Sequence, residues 1–284
     1  MEIARNNQEL EQFLTNYKLN NPNHTVGFIP TMGALHAGHM SLVNQAKSKV
    51  NFLVTSIFVN PTQFNETSDL DKYPRTEQAD IELLEANHCD LVYIPTVEDV
   101  YPNINSNYSI DLIGLDKVME GKYRDDHFDG VCMVVERLFN LVRPNYAFFG
   151  KKDFQQVAIV KHMVKVRGLD VNIISCPIKR ESSGLAMSSR NALLSNFEKE
   201  EAIVISKALK SGVLAYQRGF TIDVVKETML SIFYRGSLKL EYMIIVDNNT
   251  LLEVSKLNNK CTVCIAAYCG SVRLIDNFQF TNNF

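Results

Sequence analysis

Glycine and proline are sparse in this 284-residue chain, at 13 and 8 residues. That scarcity, with no internal repeat or low-complexity tract, excludes a disordered chain. Charge of neither sign dominates: the formal net charge is −3, so there is no global basic footprint for nucleic acid. Local clusters such as Lys179-Arg180 can still hold a small anion. No apolar run reaches about 18 residues, which excludes a membrane-spanning helix. The N-terminal segment has no basic start leading into an apolar run and a small-residue cleavage site, so a cytoplasmic location is expected. The six cysteines are too few and too scattered for a disulfide framework. Cys261-Thr262-Val263-Cys264 looks superficially like a metal or redox motif. It lies in an apolar strand pattern, where residues three apart face opposite sides, and no second ligand pair accompanies it. Buried structural thiols are expected there.

What is present is a folded composition, 46% hydrophobic and 21% charged, long enough for a large core and for two domains. Strand-like runs at Val26–Ile29, Phe52–Val59, Leu91–Ile94, Ala147–Phe149 and Val171–Cys176 alternate with helical patterns. The helices are expected at Met40–Lys49, Glu77–Asn87, Val131–Val142 and Phe154–Arg167. Near-continuous Val, Ile and Phe in the strands point to a sheet covered on both faces. The alternation predicts an α/β fold with a doubly wound, parallel, Rossmann-like sheet. Beyond it, helices at Glu198–Gln217 and Ile222–Tyr234 lead into strands at Leu240–Val246, Thr262–Tyr268 and Val272–Leu274. Residues 1–178 are therefore expected to form the Rossmann-like domain and 179–284 a smaller α+β domain. The polar, poorly periodic stretch Lys179–Arg190 reads as the junction.

The most informative segment runs from Val26 to His39, where a short apolar strand passes through a turn at Gly33 into His36-Ala37-Gly38-His39. A helix pattern follows at once, so both histidines sit at an N-terminus. Unpaired backbone N–H groups and the positive end of the helix dipole favour an anion there. Histidines at i and i+3 can face the same side of the first turn and donate to phosphate oxygens. A single histidine at such a place is more often a cap. Zinc would need histidines four apart with a glutamate between them, which this spacing does not provide.

Three further segments repeat the theme. Asn60 and Gln63 lie just past the carboxyl end of a buried strand, the edge at which open α/β sheets bind ligands, though an Asn-Pro turn is commonly only a turn. In Phe148 to Gln156 a second apolar strand meets Gly150, a polar turn with Lys152, and a helix on which Gln156 lies one turn in; Asp153 is a candidate N-cap. Leu185 to Asn191 supplies Ser188, Ser189 and Arg190, which together offer hydroxyl donors and a bidentate guanidinium for phosphate.

Taken in order, Pro30 to His39, Ser56 to Phe64, Asp71 to Thr76, His127 to Val131, Phe148 to Gln156 and Gly184 to Asn191 resemble the pantoate–β-alanine ligase family. Leu274-Ile275-Asp276-Asn277 continues the likeness more weakly. The resemblance implies ATP-dependent ligation of (R)-pantoate and β-alanine through a pantoyl adenylate, with release of pyrophosphate and AMP. It assigns His39, His36, Lys152, Ser188, Ser189 and Arg190 to catalysis, with His39 at the proton-donor position. ATP contacts are implied for Met32, Gly33, Ala34, Leu35, His36, Ala37, Gly38, His39, Gly150, Lys151, Lys152, Asp153, Lys179, Met187, Ser188, Ser189 and Arg190. Gln63 and Gln156 match pantoate-holding residues, and Gln63 also matches the β-alanine site. Mg²⁺ on the ATP phosphates, a homodimer, and a second domain closing over the ATP site are implied in the same way, with no nucleic acid or membrane partner.

The chain departs from the family pattern at a few positions. Lys151 stands where glutamate is common, Ser183 where aspartate is frequent and Thr62 where methionine is frequent. The run Glu77-Gln78-Ala79-Asp80 lacks the usual adjacent acids, leaving Asp80 as the candidate metal ligand. Two other readings are another adenylyl transferase of the same superfamily and a noncatalytic ATP-binding protein. Retention of Lys152 and both histidines disfavours the second, and a tRNA synthetase fragment is disfavoured by the acidic balance.

Overall fold

Six parallel strands and a separate three-stranded antiparallel sheet carry the architecture of this computed structural model, which describes residues 1–64, 67–102 and 108–281. The elements of the first part are β1 (Glu2–Ala4), α1 (Asn7–Asn20), β2 (Val26–Thr31), α2 (Ala37–Lys47), β3 (Phe52–Ile57), α3 (Thr67–Lys72), α4 (Glu77–Ala86), β4 (Leu91–Tyr93), α5 (Val97–Val100), α6 (Met119–Tyr123), α7 (His127–Val142), β5 (Tyr146–Gly150), α8 (Phe154–Arg167) and β6 (Asn172–Cys176). Then come α9 (Asn196–Gln217), α10 (Ile222–Phe233), β7 (Lys239–Asp247), β8 (Cys261–Cys269) and β9 (Val272–Gln279).

The parallel sheet has the order β1-β4-β3-β2-β5-β6, so the α/β, doubly wound expectation holds. Its strands are apolar because helices cover them: Val26, Phe28, Leu53, Val54, Leu91 and Val92 are all fully buried. The chain order reverses between β2 and β5, and ligands of open α/β sheets bind at the carboxyl ends of strands flanking such a point. The sequence accentuates the break. β2 pairs with β3 along six residues but with β5 only at Gly27↔Tyr146 and Phe28↔Ala147. Pro30, which has no N–H to donate, lies beyond the last of those two pairs.

The chain divides into two compact units. The first comprises Met1–Asp116, Glu120–Lys151 and Gln156–Pro177; the second comprises Ile178–Phe284 with the short segments Lys117–Met119 and Lys152–Gln155. In the second unit, α9 and α10 pack with the antiparallel sheet around a core that includes Leu209, Met229, Phe233, Ile245, Val263, Ile265 and Phe280. No helix among the described residues is long and apolar enough to cross a membrane.

Two differences from the sequence reading have simple causes. β1 and α1 were not expected, because β1 has three residues and α1 fully buries only Leu10 and Leu14. β9 runs to Gln279 rather than ending at Leu274, since Asp276 and Asn277 are buried polar residues within the strand and break its apolar pattern.

Candidate active site

The turn between β2 and α2 is built on backbone that side chains rarely adopt. Gly33 has φ +77° and Ala34 follows at φ +49°, two consecutive left-handed residues. Only glycine suits the first: a Cβ on Gly33 would lie 3.0 Å from Asp80 Oδ2 and 3.1 Å from Ile57 Cγ2. The second is held against its preference, which for a non-glycine residue costs of order 1 kcal/mol or more. Asp80 does the holding. Its Oδ2 accepts the Ala34 N–H at 2.9 Å and its Oδ1 accepts the Leu35 N–H at 2.7 Å and the Thr76 hydroxyl at 3.1 Å. Only 2% of Asp80 is exposed. These bonds give the carboxylate a backbone-clamping task. Among the described residues no group of three His, Cys, Asp or Glu could hold a metal ion.

His36 is the N-cap of α2, and His39 lies in its first turn. The Gly38 N–H donates to His36 Nδ1 at 3.0 Å, and the His36 N–H donates to His39 Nδ1 at 3.3 Å. The two rings lie 4.2 Å apart between centroids. A capping box usually made by Ser and Glu is therefore made here by two imidazoles. Accepting at Nδ1 fixes the tautomer: each ring carries its proton on Nε2 and presents that N–H as a donor. The expectation of a cap and the expectation of a phosphate ligand are compatible, because the two ring nitrogens divide the tasks.

Past β3, the 3-10 turn Pro61–Gln63 follows Asn60, whose side chain organises its surroundings. Asn60 Oδ1 accepts from the Tyr101 hydroxyl at 2.8 Å and the Thr62 hydroxyl at 3.1 Å. Burial pushes the Tyr101 phenol up to about 12, so it remains a donor and fixes which way the Asn60 amide faces. Asn60 Nδ2 then donates to Gln63 Oε1 at 3.1 Å and to the Gly130 carbonyl at 3.3 Å. Gln63 Nε2 in turn donates to Met32 Sδ at 3.3 Å, a weak acceptor that a carboxylate or hydroxyl oxygen easily replaces. Behind this amide pair, His127 Nδ1 donates to the Gln63 carbonyl at 2.8 Å, and Arg124 Nη2 reaches the same oxygen at 3.3 Å. Met32 and Gln63 are thus brought together. Asn60 was named from sequence only as an amide at a strand end; Tyr101, which supports it, and Arg124 and His127, which support the Gln63 backbone, were missed. The stretch His127 to Val131 carried the signal.

Gly150 ends β5, and the Lys151 N–H donates to the Cys176 carbonyl at 2.8 Å. Of the two adjacent glutamines, Gln155 is buried and its Nε2 donates to the Val118 carbonyl at 2.8 Å. Gln156 is half-buried, which leaves it the better placed of the pair to meet a ligand.

Lys152, Asp153, Lys179, Met187 and Ser188–Arg190 belong to the second unit. Lys152 Nζ lies 3.4 Å from Asp153 Oδ1, with 17% of the lysine side chain exposed. The stretch expected to be an irregular junction is a bridged hairpin. Met187 N–H donates to the Lys179 carbonyl at 3.0 Å, Glu181 N–H to the Leu185 carbonyl at 2.9 Å, and Arg180 pairs with Ala186. Its bend uses Gly184 at φ +96°. Ser188 then caps a 3-10 turn, Ser189–Leu193, its Oγ accepting the Arg190 N–H at 3.3 Å. Asn191 Nδ2 closes the hairpin onto the Ala186 carbonyl at 3.1 Å.

A profile of the pantoate–β-alanine ligase family matches residues 2–279. A pantothenate synthetase of Bacteroides fragilis is 47% identical over 260 residues, covering 90% of this chain and 91% of the relative. The crystal structure of pantothenate synthetase from Thermus thermophilus superimposes with a TM-score of 0.93 at 36% identity, covering 99% of each chain. Pantoate–β-alanine ligase from Francisella tularensis, complexed with β,γ-ATP and β-alanine, gives 0.81 at 36% identity, covering 98% of this chain and 97% of that one.

Proposed function

The chain belongs to the pantoate–β-alanine ligase family, and from that premise we propose how its residues divide the reaction. The enzyme is an ATP-dependent carbon–nitrogen ligase that joins pantoate to β-alanine to give pantothenate. In the first step an oxygen of the (R)-pantoate carboxylate attacks the α-phosphorus, the bond to the bridging oxygen breaks, and pyrophosphate leaves. In the second, the β-alanine amine attacks the acyl carbon of the pantoyl adenylate, AMP leaves, and the amine loses a proton.

Negative charge builds on the phosphate oxygens in the first step, and preorganised donors lower its energy most. The observation that carries this reading is the pair of imidazoles capping α2, whose tautomers present Nε2–H donors beside a helix N-terminus. His36 and His39 donate to the phosphates, with His39 serving the departing oxygen. Lys152, Ser188, Ser189 and Arg190 stabilise the transferring group and the leaving pyrophosphate, while Met32, Gly33–Gly38, Gly150, Lys151, Asp153, Lys179 and Met187 contact the nucleotide. Gln63 and Gln156 orient pantoate as neutral amides that do not quench its carboxylate, and Gln63 also meets β-alanine. Alignment of carboxylate and phosphorus supplies much of the remaining rate.

Mg²⁺ bound with ATP would neutralise charge on its phosphates, with Asp80 the carboxylate proposed for it. A homodimer in the cytoplasm completes the reading, the latter in keeping with six buried thiols. Pyrophosphate release across a panel of small acids tests the function, with pantoate strongly preferred; no response to pantoate refutes it. Pantoate labelled with ¹⁸O in its carboxylate tests the intermediate, because one label must appear in AMP.

A further inference from the structure

Asp276 and Asn277 lie in β9, and the chemistry above gives neither a role. They are 4% and 6% exposed. A buried carboxylate and a buried amide are costly unless well bonded, so their partners show what they hold. Arg180 donates to Asp276 through two parallel bonds, Nη1 to Oδ2 at 2.7 Å and Nη2 to Oδ1 at 2.9 Å, and the Asn277 N–H reaches Oδ1 at 2.7 Å. Arg180 also donates from Nη1 to the Gly184 carbonyl at 3.1 Å and lies over Phe278, 4.3 Å from the ring centroid. Asn277 Nδ2 donates to the Lys152 carbonyl at 2.9 Å. One strand therefore grips two separate pieces of chain: the backbone of Lys152, and the bend of the Lys179–Met187 hairpin that leads into Ser188.

We propose that Asp276 and Asn277 form a positioning pair for the adenylation step, Asn277 fixing Lys152 and Asp276, through Arg180, fixing the hairpin that delivers Ser188, Ser189 and Arg190. The inference rests on the catalytic roles assigned to Lys152 and that loop. Lys152 lies in the turn between the end of β5 and the start of α8, without helix or ladder bonds to fix it. A lysine side chain has four rotatable bonds, and its ammonium can be placed at a phosphate only if its backbone is placed first. The Asn277 bond fixes the carbonyl and leaves the ammonium untouched. A buried ion pair adds little net stability compared with apolar packing; Arg180 and Asp276 instead set geometry, as the shared bond to Gly184 requires.

Asn277→Asp keeps the shape and replaces the donating amide by a carboxylate. Pantoate-dependent exchange of pyrophosphate into ATP is measured for the native enzyme, Asn277→Asp, Lys152→Ala and the double variant. In Asn277→Asp, kcat falls about 10- to 100-fold, the scale of misplacing a reacting group by an ångström, while KM for pantoate is unchanged. The double variant is no slower than Lys152→Ala, because an anchor acting through Lys152 then has nothing left to position. Native kcat in Asn277→Asp, or factors that multiply in the double variant, overturns the proposal. Native exchange in Lys152→Ala overturns the catalytic reading beneath it, and the proposal with it. Asn277→Ala is held to the same criteria if Asn277→Asp does not fold.

Discussion

An asparagine at position 36 would cap α2 as well as the histidine does, since capping needs only a side-chain acceptor near the first N–H groups. Its shorter amide would not place a donor where the imidazole Nε2–H lies. His36→Asn should therefore unfold at the native midpoint yet lose roughly 10²-fold in turnover, the scale of removing one preorganised donor. His36→Ala should lose about 1 kcal/mol as well, the value of a cap. Thermal unfolding alongside steady-state rates separates the two; native turnover in His36→Asn would remove the ring from the chemistry. At this scale the place of the histidines at the start of α2 was legible because their spacing and the glycine turn are local. The clamp made by Asp80 was not, since its bonds to Ala34 and Leu35 span 46 and 45 residues and no local pattern announces them. A longer separation, 125 residues, hid the bond between Asn277 and Lys152.

Helix α7 shows what periodicity sees and what it misses. Its apolar face marks residues 131 to 142 plainly, but the first turn, His127 to Gly130, is mixed in polarity and falls outside that pattern although it supports the Gln63 amide. Gly130 is the point of closest approach: a Cβ there would lie 2.3 Å from the Thr62 carbonyl oxygen and 2.9 Å from the Gln63 nitrogen. Both are backbone atoms that cannot swing aside. Gly130→Ala should destabilise the fold by about 1–3 kcal/mol, the range for forced overpacking. It should also raise KM for pantoate, because the displaced backbone carries Gln63. Urea unfolding and substrate titration check the two effects, and a native KM would show that the turn absorbs the methyl without moving the amide.

Across the whole molecule the cysteines give the broadest test. All six are buried. Burial pushes the Cys132 thiol up to about 12 and the Cys176 thiol up to about 11, and raises Cys89 and Cys269 as well. The thiolate is the reactive form, so a thiol reagent at pH 8 should leave the native protein essentially unlabelled and modify all six residues after denaturation. Rapid labelling of one cysteine in the native protein would show that its surroundings open. The change from βα alternation to two helices and three strands was legible too, because the apolar periodicity changes after β6. The assignment of Lys117–Met119 and Lys152–Gln155 to the second unit was not, since reading along the chain yields contiguous blocks whereas packing does not.

The Asp80 clamp also bears on how the protein comes to be folded. Residues 26–39 contain the strand, the turn and the histidines, yet the carboxylate that receives the Ala34 and Leu35 N–H groups lies outside them. It arrives with α4, so the turn is clamped only after a loop of 46 residues has closed. The entropy of such a closure grows only slowly with loop length, but it must be met before the contact rewards it, which ranks non-local contacts among the slower events of folding. The turn between β2 and α2 is thus finished by a distant part of the chain, and during synthesis it goes without its clamp until residue 80 has been made.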